Sequence, residues 1–112
     1  MPPFGVIIPG QVVQYNFEQV GDKGVMTVQN PKSINVISFF MNVPLADEET
    51  GAALYYSYPP NYDSLLFIGA IANNRPSDIF HPGFALNPTV NTLPEIKLVI
   101  ELKPLSEISL NV

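Results

Sequence analysis

Short apolar runs rich in valine, isoleucine, phenylalanine and tyrosine alternate along the chain with clusters of proline, glycine and asparagine. β-Branched and aromatic residues favour strands, whereas the clusters between them favour turns. None of the runs has an apolar stripe at helical spacing, and turn signals recur at roughly the 8–12-residue spacing of β-sandwiches and barrels. The predicted strands cover residues 4–8, 12–17, 25–28, 36–41, 53–58, 65–72, 78–80 and 96–102. The pattern predicts an all-β protein.

Several segments carry more specific expectations. The runs 36–41 and 65–72 are almost wholly apolar, so each should be a deeply buried strand. The sequence Gly-Asp-Lys-Gly at 21–24 is a strong turn signal and predicts a hairpin between the strands on either side. In 96–102 apolar and polar residues alternate, which is typical of a one-sided edge or outer-sheet strand. A fragment of strand is also expected around Phe84–Leu86.

Composition fits one small domain with many turns. The 112 residues match the usual size of a single domain. The 12 prolines are about twice the average share, and proline interrupts both helices and sheet ladders, so the elements should be short. A hydrophobic fraction of 46% argues against disorder. The tail 105–112 still alternates, and should form one more strand or begin a segment that lies beyond this chain.

Charge and cysteine content exclude several kinds of partner and site. Ten acidic against five basic residues give a net charge of −5 and no cationic stripe, so nucleic acid and anionic membranes are poor partners. Without cysteine there is no disulfide, zinc–thiolate site or thiol nucleophile. The longest apolar run, 65–72, is far shorter than the ~20 residues that cross a bilayer. We expect a soluble intracellular protein with a sparsely charged surface.

No pattern of catalytic or metal-binding residues emerges from the chain. The single histidine, His81, has neither a nucleophile motif nor a metal-ligand spacing around it, and is expected to be exposed in a loop. The acidic run 47–49 lacks the ligand spacing of a calcium loop and should be a solvated loop. A glycosidase pair of carboxylates could be drawn from Asp63, Asp78, Glu95 and Glu101, but nothing pairs any two of them. We therefore expect no enzyme, cofactor or metal.

The aromatic residues are the most informative candidates for binding. Four tyrosines fall within residues 55–62, where Tyr56 and Tyr58 should share one face of a strand while Tyr55 takes the other. They either form a binding surface or cover the core. Phe80 and Phe84, in the turn-rich segment, either line a pocket for a partner or plug one end of the sandwich. A glycan-binding jelly roll that uses the tyrosines as stacking platforms is a weaker alternative.

Six short motifs follow one another in a fixed order along nearly the whole chain. They are Phe4-Gly5-Val6, Asp22-Lys23, Ser33-Ile34-Asn35, Tyr55-Tyr56-Ser57-Tyr58-Pro59, Asn73-Asn74-Arg75-Pro76-Ser77-Asp78-Ile79-Phe80 and the late strand 96–102. In this order and spacing they resemble the Hikeshi family, whose members carry Hsp70 chaperones into the nucleus during heat stress. The Ser-Tyr-Pro motif and the segment that ends in Ile79-Phe80 are the most specific.

The resemblance implies an N-terminal antiparallel β-sandwich of jelly-roll type, followed in the family by a mainly helical part that forms homodimers. Residues 1–112 would then be the N-terminal domain of a protein of about 200 residues, a length that two domains of ordinary size would fill. It further implies a non-catalytic carrier that shuttles between cytoplasm and nucleus. Its partners would be Hsp70 in the ATP state and the phenylalanine-glycine (FG) repeats of nucleoporins.

The segment between Phe80 and Ile96 departs from the family pattern. It is shorter than the family's loop, in which a phenylalanine beside a glycine contacts pore proteins, and it offers only Gly83-Phe84, in reversed order. We expect Phe84 to take that role, with Phe80, Tyr55, Tyr56 and Tyr58 as further candidate contacts. The alternative is a structural scaffold, whose partner binding resides in the C-terminal part that this chain does not contain.

Overall fold

A computed structural model describes residues 3–108 of the chain. The eight strands within this range are β1 (Phe4–Ile7), β2 (Glu18–Val20), β3 (Lys23–Gln29), β4 (Ile37–Met41), β5 (Thr50–Ser57), β6 (Leu66–Ala72), β7 (Ser77–Phe80) and β8 (Glu95–Pro104). Single 3-10 turns occupy Pro31–Ser33 and Phe84–Leu86, and a short helix, α1, spans Leu105–Ile108. Among these residues no helix has the length and apolarity needed to span a membrane.

The strands form two antiparallel sheets. The larger has the order β2-β3-β8-β5-β6 and the smaller the order β1-β4-β7. Within residues 3–108, only the β2–β3 and β5–β6 connections stay in one sheet, and every other connection crosses to the opposite sheet. This winding between two layers is the jelly-roll arrangement. The predicted all-β, jelly-roll-like sandwich is confirmed.

The core lies between the inner faces of the two sheets. Because side chains alternate across a strand, every second residue of β8 points inward, and Ile96, Leu98 and Ile100 are buried there. Phe39 of β4 is fully buried opposite them on the smaller sheet, and Leu54 of β5 is fully buried beside Ile100, its neighbour in the larger sheet. Each such side chain stabilises the fold by roughly 1.5–3 kcal/mol relative to an exposed one. These contacts hold the two layers together.

Strand β8 is a central strand, so of the two predicted placements, at an edge or in an outer sheet, the edge was wrong. It pairs with β3 along one side and with β5 along the other. The alternation of 96–102 correctly reports that Ile96, Leu98 and Ile100 face the core, whereas Leu102 lies beyond its end. It carries no information on the neighbours of a strand, because backbone hydrogen bonds do not depend on the side chains. Strand β6, predicted to be deeply buried, lies at the sheet edge, and its first residue, Leu66, is exposed.

Two further segments differ from the prediction. Residues 12–17 form no regular strand. Gln14 alone bridges β1, exchanging two 2.9 Å hydrogen bonds with Val6. The predicted hairpin around residues 21–24 joins β2 to β3 instead. Phe84–Leu86 is a 3-10 turn, not a strand, and it begins after Gly83, whose φ of 70° favours glycine.

The tail contains a helix where a further strand was one of the expectations. Leu105 donates a 2.7 Å backbone hydrogen bond to Glu49, which starts α1 on the outer face of the larger sheet. Ile108 and Leu105 pack there against Gly51, where an added Cβ would lie 2.8 Å from Ile108 Cδ1. The remainder of the predicted tail strand, 109–112, lies outside the described residues.

Candidate functional site

Phe84 closes one end of the sandwich. Its ring is fully buried and meets the ring of Tyr56 edge to face, with the centroids 5.0 Å apart. Val90 is fully buried in the same cluster. Of the two expectations for Phe84, the structure favours the plug, since the ring presents no surface to a partner. Whether Phe84 takes part in binding stays a prediction.

The other sequence-predicted aromatics lie apart from one another. Tyr55 is on the outer face of the larger sheet, 5.7 Å from the ring of Phe67, whereas Tyr56 faces the core, as strand alternation predicts. Tyr58 and Phe80 are half-buried against the core. The tyrosines therefore form no common exposed platform, and the predicted residues do not surround one hollow.

A different aromatic-lined hollow opens at the other end of the sandwich, beside Ile100. We call it the aromatic hollow; its volume is about 570 Å³, within the roughly 300–1,000 Å³ of ordinary ligand pockets. Its lining residues are Pro3, Phe4, Tyr15, Asn16, Phe17, Gln19, Asp22, Gly24, Ile100 and Leu102. The walls are mainly apolar, with three aromatic rings, and Leu102 remains 52% exposed.

Gly5 of β1 is what allows one wall of the hollow to form. The ring of Tyr15 meets that of Phe40 edge-on, with the centroids 6.2 Å apart. A Cβ at Gly5 would lie 2.5 Å from Phe40 Cζ and 2.9 Å from Tyr15 Cε1. Since a side chain at this position would collide with both rings, glycine permits the irregular segment 12–17 to fold back over β1.

Ion pairs fix the rim of the hollow at Asp22. Lys23 Nζ lies 3.2 Å from Asp22 Oδ1 and 2.9 Å from Glu101 Oε2, and Lys103 Nζ lies 3.5 Å from Glu101 Oε1. The hydrogen bond from Lys23 holds the pKa of Asp22 below its ordinary value. The hydrogen bond to Glu101 raises the pKa of Lys23, with a further contribution from Asp22.

The shift at Asp22 predicts a loss of stability in acid. A carboxyl whose pKa is lower in the folded state stabilises the fold above its unfolded pKa of about 4, and this contribution disappears as the pH falls through the folded pKa. Asp22→Asn should reduce the decrease in melting temperature between pH 5 and pH 3, measured by circular dichroism. The difference should be small, because exposed pairs contribute little; a steeper decrease in the variant than in the unmodified chain would contradict the assignment.

Two of the remaining polar candidates, Asp78 and Glu95, have structural partners. Asp78 accepts a hydrogen bond from Arg75 at 3.4 Å, and Glu95 accepts one from the hydroxyl of Tyr62 at 3.5 Å. Desolvation, with the neighbouring Glu95 as a second cause, raises the pKa of Tyr62. His81 is exposed after β7, as expected. In residues 3–108 no group of three or more histidine, aspartate or glutamate side chains is placed to hold a metal ion.

Sequence reasoning missed the aromatic hollow because its walls come from distant parts of the chain. The local pattern predicts a strand at Tyr15 and Phe17, which they do not form. One signal was present: the alternation of 96–102 continues to Leu102, beyond the point where the core ends. An apolar residue in that position indicates either a hollow or an interface.

The fold and its end hollow place the protein among jelly-roll-like β-sandwich domains. Comparison with known protein families narrows this class, since residues 7–93 match the family described as "Hikeshi-like, N-terminal domain". The chain therefore belongs to the Hikeshi-like family, in agreement with the resemblance carried by its motifs.

Two curated relatives share the name "Protein OPI10 homolog". The one from Schizosaccharomyces pombe is 35% identical over 95 residues, which cover 82% of this chain and 44% of the relative. The one from Anopheles gambiae is 33% identical over 84 residues, covering 68% of this chain and 40% of the relative. The chain thus spans less than half the length of these relatives.

Proposed function

We propose that this chain is a non-catalytic binding domain of a nuclear transport carrier. Its aromatic hollow takes the phenylalanine side chains of nucleoporin FG repeats, and the whole carrier brings Hsp70 chaperones from the cytoplasm into the nucleus under heat stress. The single observation that carries the proposal is an open, aromatic-lined hollow on a domain of the Hikeshi-like family.

The chemistry of the hollow suits a phenylalanine ring. Rings prefer edge-to-face or offset contacts, and Phe4, Tyr15 and Phe17 line the hollow as possible partners for a guest ring. The amide of Asn16 and the amide oxygen of Gln19, whose nitrogen donates to the carbonyl of Gly21, also line the hollow and can hydrogen-bond a peptide backbone. One ring in one open hollow binds weakly. Repeats with many phenylalanines nevertheless gain affinity through repeated contacts that exchange quickly.

The hollow is a better place for this contact than the Phe84 turn. Exposing Phe84 to a partner would empty the end of the core that it fills against Tyr56. The hollow is open without any rearrangement. Contact with Hsp70 and homodimerisation through a C-terminal part rest on family membership alone, and both are proposals for the whole protein.

Two variants in the hollow should weaken FG binding without unfolding the domain. Leu102→Gln and Tyr15→Ser remove apolar surface from half-exposed positions. We expect each to weaken binding of an FG-repeat peptide by about tenfold, equivalent to ~1.4 kcal/mol. Peptide titrations followed by ¹⁵N chemical-shift changes measure this, and the shifts should cluster around the hollow.

Leu86→Gln is the matched control, because Leu86 is 89% exposed in the turn at the plugged end. It should bind the peptide as the unmodified chain does, while a peptide with serine in place of phenylalanine should not bind. If Leu102→Gln binds normally, the hollow is not the site. If the chain binds neither FG peptide nor ATP-loaded Hsp70 while a full-length relative binds both, the domain is a scaffold.

A further inference from the structure

The aromatic hollow adjoins a second depression of the surface at Leu102. This residue lines the hollow and also a cleft of about 380 Å³, which we call the acidic cleft. The residues that line the acidic cleft are Asp47, Glu49, Thr50, Leu102, Lys103 and Pro104. Leu102 is half-exposed, so accessible apolar surface joins the two depressions. A single extended segment of a partner can therefore contact both.

Strand pairing explains why an acidic loop lies beside the hollow. At the open end of the sandwich, Phe4 of β1 pairs with Met41 at the end of β4. The chain then passes through the acidic run 47–49 and enters β5 at Thr50, which pairs with Pro104 at the end of β8. The end of β4, the beginning of β5 and the end of β8 thus meet at the open end. Three consecutive exposed carboxylates lie there.

The five basic side chains of the protein, all within residues 3–108, do not neutralise this acidic run. Three of them form ion pairs with other carboxylates, namely Lys23, Arg75 and Lys103. Lys32 lies in the 3-10 turn after β3, and Lys97 lies over the ring of Tyr62, 4.5 Å from its centroid. In the described part of the chain, none of the five forms an ion pair with residues 47–49. Three negative charges therefore stand without a cationic partner next to the hollow.

We propose that the aromatic hollow and the acidic cleft form one composite site, which selects FG repeats with lysine or arginine close to the phenylalanine. The phenylalanine ring enters the hollow. A basic residue within about four positions of it, ~13 Å along an extended chain, reaches the acidic run 47–49. Repeats with glutamate or aspartate in these positions are repelled. This inference rests on the proposed function, because it names which FG repeats the hollow prefers.

Charge complementarity favours a basic partner at both long and short range. The net charge of −5 attracts cationic segments, and the acidic run 47–49 places three of the ten acidic side chains beside the apolar surface. An apolar hollow alone does not distinguish one phenylalanine from another, whereas neighbouring charges attract one repeat and repel the next. Charges at the rim of an interface act mainly on specificity and association rate. Such a site binds selectively and still exchanges quickly.

Three peptides with the same Phe-Gly core test the proposal, one with two flanking lysines, one with two serines and one with two glutamates. At 0.05 M NaCl the lysine peptide should bind the chain at least about fivefold more tightly than the glutamate peptide, with the serine peptide in between. At 0.5 M NaCl the difference should fall below about twofold. Titrations followed by ¹⁵N chemical-shift changes measure the affinities, and the lysine peptide should additionally shift residues 47–49.

The outcomes separate this inference from FG binding itself. If all three peptides bind equally at low salt, the composite site is overturned while FG binding stands. If none binds, the proposed function fails and this inference fails with it. A lysine peptide with serine in place of phenylalanine should bind at least about fivefold more weakly than its parent. Equal binding of these two peptides would reduce the effect to general charge attraction and would also overturn the composite site.

Neutralising the loop locates the charge contact. Glu48→Gln combined with Glu49→Gln removes two exposed charges and keeps the size of the side chains. The double variant should bind the lysine peptide about two- to fivefold more weakly and the serine peptide unchanged. Asp47 is left in place, because its Oδ1 accepts 2.9 Å hydrogen bonds from the backbone N–H of Glu49 and the hydroxyl of Thr50. Circular dichroism checks that the variant is folded.

Asp63→Asn combined with Glu95→Gln is the matched control. Asp63 lies between β5 and β6, and Glu95 begins β8, so both are at the end of the larger sheet remote from the hollow. This variant makes the same change in net charge and should bind the lysine peptide as the unmodified chain does. An equal loss in both double variants would show that only net charge matters, and would rule out the acidic cleft as part of the site.

Discussion

Replacing Phe84 by alanine should destabilise the domain by about 3–5 kcal/mol, the usual loss for a fully buried phenylalanine. The ring has no exposed surface, and its removal takes away the packing against Tyr56 and leaves a cavity there. Domains of this size are stable by roughly 5–15 kcal/mol. The variant should therefore lose a large part of its stability, measured as a lower midpoint in urea unfolding with an unchanged slope.

Leu86→Ala is the control, since Leu86 lies in the same 3-10 turn and is largely exposed. It should change the free energy of unfolding by less than about 0.5 kcal/mol. Burial predicts that Phe84→Ala lowers the free energy of unfolding by about 3–5 kcal/mol. A loss of less than about 1 kcal/mol would contradict the conclusion that Phe84 fills this end of the core. The result also decides how binding data are interpreted. Loss of FG binding in Phe84→Ala reports on Phe84 as a contact only if the variant remains folded.

The same sequence, Gly83-Phe84, is compatible with an exposed loop contact and with a buried plug. Sequence could place the residue in a turn, because Pro82 and Gly83 are strong turn formers. The choice between the two depends on Tyr56 and Val90, which long-range packing brings to the ring. Such contacts follow from the winding of the sandwich, not from the local pattern.

Strand alternation predicted the faces of the sheets well. It placed Tyr55 and Tyr56 on opposite faces and identified Ile96, Leu98 and Ile100 as a row, which the structure shows to be in the core. It could not predict pairing partners, because neighbours in a sheet are set by backbone hydrogen bonds and by the crossings between layers. For this reason the edge position of β6 and the central position of β8 emerge only from the fold.

The two ends of the sandwich are built differently, and this limits where function can lie. One end is filled by Phe84 and Tyr56, and the other is left open between the irregular segment 12–17 and β8. Aromatic residues occur at both ends, so their number in the sequence does not distinguish a core from a site. A core ring is surrounded by other side chains, whereas a ring that lines a site leaves part of its surface free for a partner.

Gly69→Ala should destabilise the domain by about 1–3 kcal/mol, the typical effect of overpacking a core. Gly69 is buried in β6, and the ring of Phe80 lies directly over it. An added Cβ would be 2.5 Å from Phe80 Cζ and 2.6 Å from Cδ1, so the ring would have to leave its place against the core. Thermal and urea unfolding of the variant measure the loss.

A double-mutant cycle with Phe80→Ala identifies the cause. Once the ring is removed, the added methyl group has room, so Gly69→Ala should be nearly neutral in that background and the coupling energy should be about 1–3 kcal/mol. Gly24→Ala is the matched control, because a Cβ at Gly24 makes ordinary 3.4 Å contact with Phe17 Cβ. Equal losses with and without Phe80 would show that the ring does not need the glycine. In that case the late motif ending at Phe80 and the glycine of β6 would be independent features of the sequence, whereas the structure makes them one packing unit.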